Sequence, residues 1–212
     1  NKDLKDISVY ANVVNNEEVK YIPSDFKGIG LYRTEFILMN EKYAFDYLKQ
    51  ASIYMEALEM MAGKPITFRT FDFGGDKQVE YLPHLKKGIE NYYVYRKLFE
   101  NQIKALLVAS KKYPNQVRIM FPMIETFKQY QELKKAVVKL AKEEGIKVPT
   151  VGMMLETQSA FINLVDFKNV DFISVGTNDL TSELFNVSRD EVILFENLYV
   201  EILEVLKKVI WF

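Results

Sequence analysis

The sequence predicts an α/β protein with a parallel sheet, folded as a β/α barrel. Three observations carry that prediction. Short apolar, β-rich runs alternate with longer stretches of helical periodicity along the chain. Several of those runs end in clusters of small, polar and charged residues, the place where α/β proteins put their chemistry. At least four different strands end in this way. An open sheet offers one crevice at a switch point, whereas a barrel gathers all its strand ends at one mouth.

The elements follow in order. Ser8 to Val13 alternates and is β-rich, so it reads as a first strand. Glu17 to Ser24 reads as a short helix with Pro23 near its end. Gly28-Ile29-Gly30-Leu31-Tyr32 is a second strand, running directly into Arg33-Thr34-Glu35. Glu41 to Met61 reads as one long amphipathic helix stopped by Gly63. Pro65 to Phe68 is a third strand, followed by the polar run Arg69 to Lys77 with its Gly74-Gly75 pair. An irregular stretch, Gln78 to Gly88, precedes a helix expected over Glu90 to Lys112. Val117 to Phe121 is a fourth strand and Thr126 to Gly145 a strongly amphipathic helix. Thr150 to Leu155, a fifth strand, ends in Glu156-Thr157, and a short helix follows. Asp171 to Val175 is the sixth strand, ending in Gly176-Thr177-Asn178-Asp179-Leu180-Thr181. Glu191 to Ile210 reads as a terminal helix.

Composition narrows the function. The chain has 212 residues, 49% of them hydrophobic, which suits a single domain over residues 1–212 with a substantial core. A formal net charge of −1 argues for neither nucleic acid nor an anionic membrane surface as partner. The absence of cysteine excludes disulfides, zinc–thiolate sites and a thiol nucleophile within this sequence, and fits a reducing, cytoplasmic setting. No apolar stretch approaches a membrane span and no signal-peptide pattern opens the chain. A start at Asn1 suggests processing or cutting.

The strand-end residues are the candidates for chemistry. Arg33 and Arg69 carry planar, forked donors suited to phosphate and carboxylate. Lys77 adds a point charge after two glycines, and Arg189 follows the sixth strand closely enough to reach the same mouth. Glu156 and Asp179 offer hard oxygen ligands from neighbouring strand ends, a minimal Mg2+ site whose remaining positions go to substrate oxygens and water. Several cations with two carboxylates describe a metal-bridged phosphorylated acid. Each residue also has a plainer reading: an arginine as a surface ion pair, Glu156 or Thr177 to Thr181 as a helix cap. His84, the only histidine, lies in an irregular stretch beside Pro83 and reads as surface structure. Met60-Met61 and Met153-Met154 read as core, and Tyr92, Tyr93 and Tyr95 as packing between a helix and its neighbour.

Five segments together resemble a known family: residues 28–36, 68–77, 118–124, 152–157 and 172–181. In order and wording they are similar to the carboxyl-terminal domain of enzyme I of the bacterial sugar phosphotransferase system, the phosphoenolpyruvate–protein phosphotransferases. The resemblance implies a (β/α)8 barrel of TIM type, with about six of its eight strand–helix units present. It implies phosphoenolpyruvate held by Arg33, Arg69 and Arg189, with Lys77 neutralising the phosphoryl group and Asn178 touching the substrate. It assigns Mg2+ to Glu156 and Asp179, and loosely matches Arg96 to a further family arginine. The family passes the phosphoryl group to a histidine on an amino-terminal domain and then to a phosphocarrier protein, starting the relay for sugar uptake. That histidine-bearing domain, and the late strand with the family's catalytic cysteine, lie outside this sequence, so the chain alone is expected to lack complete activity. The family's Asn-Pro-rich motif before the third helix reads Glu90-Asn91-Tyr92-Tyr93 here, and the loop after Arg189 reads Asp190-Glu191-Val192. These departures support an alternative: a catalytically inactive barrel remnant serving as a binding or interaction module. An incomplete barrel exposes two sheet edges, so a covering helix, a partner chain or a homodimer is expected to close it.

Overall fold

Branched and aromatic runs form six strands, each followed by helix, in a computed structural model that describes residues 7–73, 79–86 and 88–187, with 204 and 207 beyond. The strands are β1 (Ala11–Val13), β2 (Ile29–Arg33), β3 (Ile66–Arg69), β4 (Val117–Phe121), β5 (Thr150–Leu155) and β6 (Ile173–Val175). The α-helices are α1 (Asn16–Val19), α2 (Glu35–Leu38), α3 (Glu41–Ala44), α4 (Tyr47–Met60), α5 (Glu90–Val94), α6 (Arg96–Lys112), α7 (Phe127–Glu143), α8 (Gln158–Ile162) and α9 (Thr177–Phe185). A 3-10 turn, Leu164–Phe167, follows α8. This order is that of a β/α barrel, incomplete at six strand–helix units among the described residues.

The chain divides into two compact units. The first holds the residues up to Met120 together with Lys135–Thr150, the second Phe121–Lys134 and the residues from Val151 onward. In the first, β1, β2, β3 and β4 pair in parallel, each with the next along the chain. Parallel strands covered by helices are buried on both faces, and β3 accordingly has no exposed position. Phe68 on β3 lies fully buried between Tyr32 and Tyr54, with ring centroids 5.2 and 4.9 Å away. Helices α4 and α6 pack on each other, and both bury apolar residues, Ala51 and Leu58 on α4 and Ile103 and Leu106 on α6. In the second unit β5 and β6 pair in parallel. There Tyr130 donates to the Val151 carbonyl at 2.8 Å, and Asp171 accepts from the Val151 amide and pairs with Lys134. Burial pushes the Tyr130 phenol up. Burial would lower the Lys134 ammonium, but its interactions with Asp171 and Tyr130 together hold it raised.

Several expected elements are shorter than the sequence pattern suggested. The first strand covers Ala11–Val13 rather than Ser8 to Val13, and the sixth Ile173–Val175 rather than Asp171 to Val175. Asp171 instead spends its side chain on β5 and α7, through the bonds to Val151 and Lys134. The helix expected from Glu17 to Ser24 ends at Val19. The long helix expected over Glu41 to Met61 is two, α3 and α4, because Asp46 takes an extended conformation and accepts the Lys49 amide as an N-cap. The helix expected over Glu90 to Lys112 is also two, broken at Tyr95 (φ −106°, ψ 47°). A run of aromatic and β-branched residues is a poor helix interior, and Tyr92 is drawn inward by hydrogen bonds to residues 70 and 71. Only Tyr92 of the three tyrosines is fully buried; Tyr93 is half exposed, and Tyr95 bonds the Pro83 carbonyl. Met61, Met153 and Met154 are core residues. The terminal helix expected over Glu191 to Ile210 lies almost wholly outside the described residues.

Candidate functional site

Arg33 and Arg69 occupy the last positions of β2 and β3 and are register partners across that parallel pair. Register partners on adjacent parallel strands project to the same side of the sheet, so two guanidinium groups share one strand-end surface. Their environments differ. Arg69 is only 5% exposed. Its Nη2 donates to Glu35 Oε1 at 2.7 Å, and its Nη1 lies 3.3 Å from Asp72 Oδ2. Arg33 is half-buried, and its guanidinium makes no hydrogen bond or ion pair with the described residues. One arginine is therefore locked and the other is available to a ligand.

The backbone beneath them is tied down by side chains. Thr34 donates its hydroxyl to the Arg69 carbonyl at 2.8 Å. Gln102 on α6 donates to Thr34 Oγ1 at 2.7 Å and accepts the Phe71 amide at 3.0 Å. Tyr92 donates to the Phe71 carbonyl and shares a 2.7 Å contact with the Thr70 hydroxyl. Burial pushes the Tyr54 and Tyr92 phenols up, so both stay protonated at neutral pH. Asn91 donates to the carbonyls of Phe73 (2.8 Å) and Lys86 (2.6 Å) and accepts the Lys86 amide. It thus joins the two ends of the segment that carries Lys77. Sequence reasoning gave Glu35, Asp72, Asn91 and Gln102 no role. Glu35 and Asp72 had a local signal, an acid within three residues of a strand-end arginine; Asn91 and Gln102 had none.

In the second unit, Glu156 follows β5 directly and is 1% exposed. It is not a helix cap. Thr157 caps α8 by accepting the Ala160 amide at 3.2 Å, while its hydroxyl donates to the Ile124 carbonyl at 2.8 Å. Glu156 Oε1 accepts the amide of Met123 at 2.7 Å, and Met123 adopts a left-handed backbone (φ 52°). Non-glycine residues rarely adopt that conformation, and such strain collects at functional sites. The other carboxylate oxygen faces Gly176: a Cβ there would lie 2.7 Å from Glu156 Oε2 and 2.9 Å from Glu156 Cβ. Pairing of Leu155 with Val175, and the 3.0 Å bond from the Gly176 amide to the Leu155 carbonyl, bring Glu156 and the start of α9 side by side. Asn178 and Asp179 lie in the first turn of α9, exposed and half exposed. No side chain caps that helix; Gly176 is its N-cap.

These oxygen donors fit a Mg2+ ion. Glu156 and Asp179 follow adjacent strands, both are carboxylates, and glycine at 176 keeps a Cβ from closing to 2.7 Å on Glu156 Oε2. Among the described residues no three His, Cys, Asp or Glu side chains gather into a complete metal site. Two carboxylates with the remaining positions left to substrate and water is the mode Mg2+ uses with phosphorylated ligands. Lys77 and Arg189, the other predicted cations, lie outside the described residues. Arg96 is exposed and paired with Glu100 on its own helix at 2.8 Å. His84 is exposed. A cleft of about 320 Å3 lies at the opposite, amino-terminal ends of the strands. Its cations Lys111, Arg118 and Lys147 belong to that end and not to the strand-end site.

A barrel-type α/β domain with arginines and carboxylates at the carboxyl ends of its strands is the class this chain represents. A family model described as PEP-utilising enzyme, PEP-binding domain, matches residues 1–212, and the chain belongs to that family. It is 38% identical over 191 residues to the phosphoenolpyruvate-protein phosphotransferase of Priestia megaterium, covering 82% of this chain and 33% of that protein. It is 37% identical over 197 residues to the protein of that name from Bacillus subtilis (strain 168), covering 84% and 34%. The multiphosphoryl transfer protein of Rhodobacter capsulatus is 34% identical over 198 residues, covering 89% of this chain and 24% of that protein. The chain thus spans a quarter to a third of the length of these relatives. Among the described residues no helix is long and apolar enough to cross a membrane.

Proposed function

We propose that this chain binds phosphoenolpyruvate together with Mg2+, as the substrate-holding part of a phosphoenolpyruvate–protein phosphotransferase. The observation that carries this reading is the register pairing of Arg33 with Arg69 at the ends of β2 and β3, one guanidinium held by two carboxylates and the other open. Forked donors of this kind match the phosphate and carboxylate of a small phosphorylated acid. In this reading Arg33, Arg69 and Arg189 hold the two acidic groups, and Lys77 neutralises the phosphoryl oxygens. Asn178 contacts the substrate, and Glu156 and Asp179 hold the ion. Bound Mg2+ would supply charge neutralisation on the phosphoryl oxygens. The protein's own work is positioning and electrostatics, which is most of what phosphoryl transfer requires. The strained Met123 amide fixes Glu156, and the Glu35 and Asp72 carboxylates fix Arg69, so little reorganises when ligand arrives.

The acceptor in this reading is a histidine on a separate amino-terminal domain, followed by a phosphocarrier protein in a cytoplasmic relay for sugar uptake. The names of the relatives, which include a multiphosphoryl transfer protein, support a setting among partner domains. Calorimetry of the chain with phosphoenolpyruvate, with and without Mg2+, tests the reading. Saturable binding that requires the ion and vanishes in Asp179→Asn is expected. No heat from a folded sample overturns it. It would favour the alternative of a barrel remnant acting as an interaction module, a reading supported by the outward ion pair of Arg96 with Glu100.

A further inference from the structure

We infer that Gln102 is a positioning residue for the phosphoenolpyruvate site, fixing the two strand ends that carry Arg33 and Arg69 through one carboxamide. The inference rests on the proposed function above.

Gln102 lies in the middle of α6 and is fully buried. Its Nε2 donates to Thr34 Oγ1 at 2.7 Å, and its Oε1 accepts the Phe71 amide at 3.0 Å. Thr34 follows Arg33 directly, and Phe71 comes two residues after Arg69. Thr34 in turn donates its own hydroxyl hydrogen bond to the Arg69 carbonyl at 2.8 Å. The result is a closed bridge in which each donor and acceptor has one assignment. The Thr34 hydroxyl has one hydrogen, and it is committed to Arg69. The threonine oxygen must therefore accept from Gln102, and the Phe71 amide needs an acceptor. Only a side chain with a donor and an acceptor on one planar group meets both demands. A second 3.4 Å contact from Nε2 to the Tyr54 hydroxyl, itself bonded to Gln50 at 3.3 Å, holds the carboxamide in this orientation.

Strand pairing alone does not fix these positions. Arg33 and Arg69 are the last paired residues of their strands, and Thr34 and Phe71 lie beyond the ladder. A buried backbone amide past a strand end needs a partner, and Gln102 is the partner supplied to Phe71. A carboxamide anchored on the 17-residue helix α6 therefore sets the spacing of two guanidinium groups that would grip one small ligand.

The experiment compares wild type, Gln102→Leu, Gln102→Glu and Ser110→Ala. Ser110 is a buried α6 residue whose hydroxyl donates to the Leu107 carbonyl, so its variant loses a hydrogen bond in the same helix without touching the bridge. Gln102→Leu removes both bonds. Gln102→Glu keeps the acceptor, draws the Thr34 proton to itself and releases the Arg69 carbonyl. Amide exchange at Phe71 is read first, in ligand-free protein: protection in wild type, lost in Gln102→Leu and kept in Gln102→Glu, is expected. Phosphoenolpyruvate with Mg2+ is then titrated calorimetrically. A merely structural role lowers the fraction of binding-competent molecules, hence the stoichiometry, at constant Kd. A positioning role raises Kd at constant stoichiometry, by about tenfold in both Gln102 variants, with Ser110→Ala unchanged. An unprotected Phe71 amide in wild type, or an unchanged Kd in the Gln102 variants, overturns the inference. Wild type that shows the protected amide but binds no phosphoenolpyruvate overturns the functional reading on which it rests.

Discussion

Arg69 is the residue on which the site's electrostatics turn. A guanidinium that is 5% exposed is tolerable only with its counter-charges in place, and Glu35 and Asp72 supply them. Glu35→Ala is expected to lower stability by about 3 kcal/mol, because it strips the closer carboxylate from a buried charge. Urea unfolding of the variant against wild type measures this. Gly176 poses a steric version of the same dependence. Its backbone (φ −83°) does not itself require glycine, but a Cβ would meet Glu156 Oε2 at 2.7 Å. Gly176→Ala is therefore expected to cost about 1–3 kcal/mol and to abolish the Mg2+-dependent part of ligand binding, checked by titration with and without the ion.

At the scale of elements, the amino terminus of α4 is set by one carboxylate. The amide and ammonium of Lys49 beside Asp46 hold its carboxyl below the ordinary aspartate range. A depressed folded value means that the cap's contribution is complete above the unfolded value and is lost as pH falls through the folded one. Wild type is thus expected to lose stability relative to Asp46→Asn on acidification below the ordinary aspartate range. Denaturation of both proteins across a pH series reads the converging difference. Thr157 shows the buried counterpart, one hydroxyl capping α8 and bonding the Ile124 carbonyl. Thr157→Val is expected to cost about 1–2 kcal/mol and to loosen the turn that presents Met123 to Glu156. Thermal unfolding gives the first quantity, and amide exchange at Met123 the second.

For the whole molecule, binding and stability are linked. A ligand that binds the folded chain at a hundred times its Kd adds about 2.7 kcal/mol to unfolding. Phosphoenolpyruvate with Mg2+ is expected to raise the melting temperature of wild type and to leave that of Asp179→Asn where it was. A melt of both proteins with and without the pair provides the check. In the proposed reading the ligand lies at the carboxyl strand ends, as is usual for β/α barrels, and the basic cleft at the other end is not expected to contribute.

Alternation of strand and helix, parallel pairing, and the placing of Arg33, Arg69, Glu156 and Asp179 at strand ends were all legible in the sequence. Each is a short-range property: periodicity over a few residues, or a polar cluster directly after an apolar run. The breaks at Asp46 and Tyr95 were not, because helical periodicity continues across both while a cap and a buried tyrosine decide where the backbone leaves the helix. Nor was the partnership that holds the site. Glu35 lies 34 residues from Arg69, and Gln102 lies 68 from Thr34 and 31 from Phe71. A hydrogen bond depends on distance in space, and spacing along the chain says nothing about which helix will lie behind two strand ends. The sequence by itself determined which groups stand at those ends; only the tertiary structure decided that Arg69 is locked, that Arg33 is open, and that one glutamine spans them both.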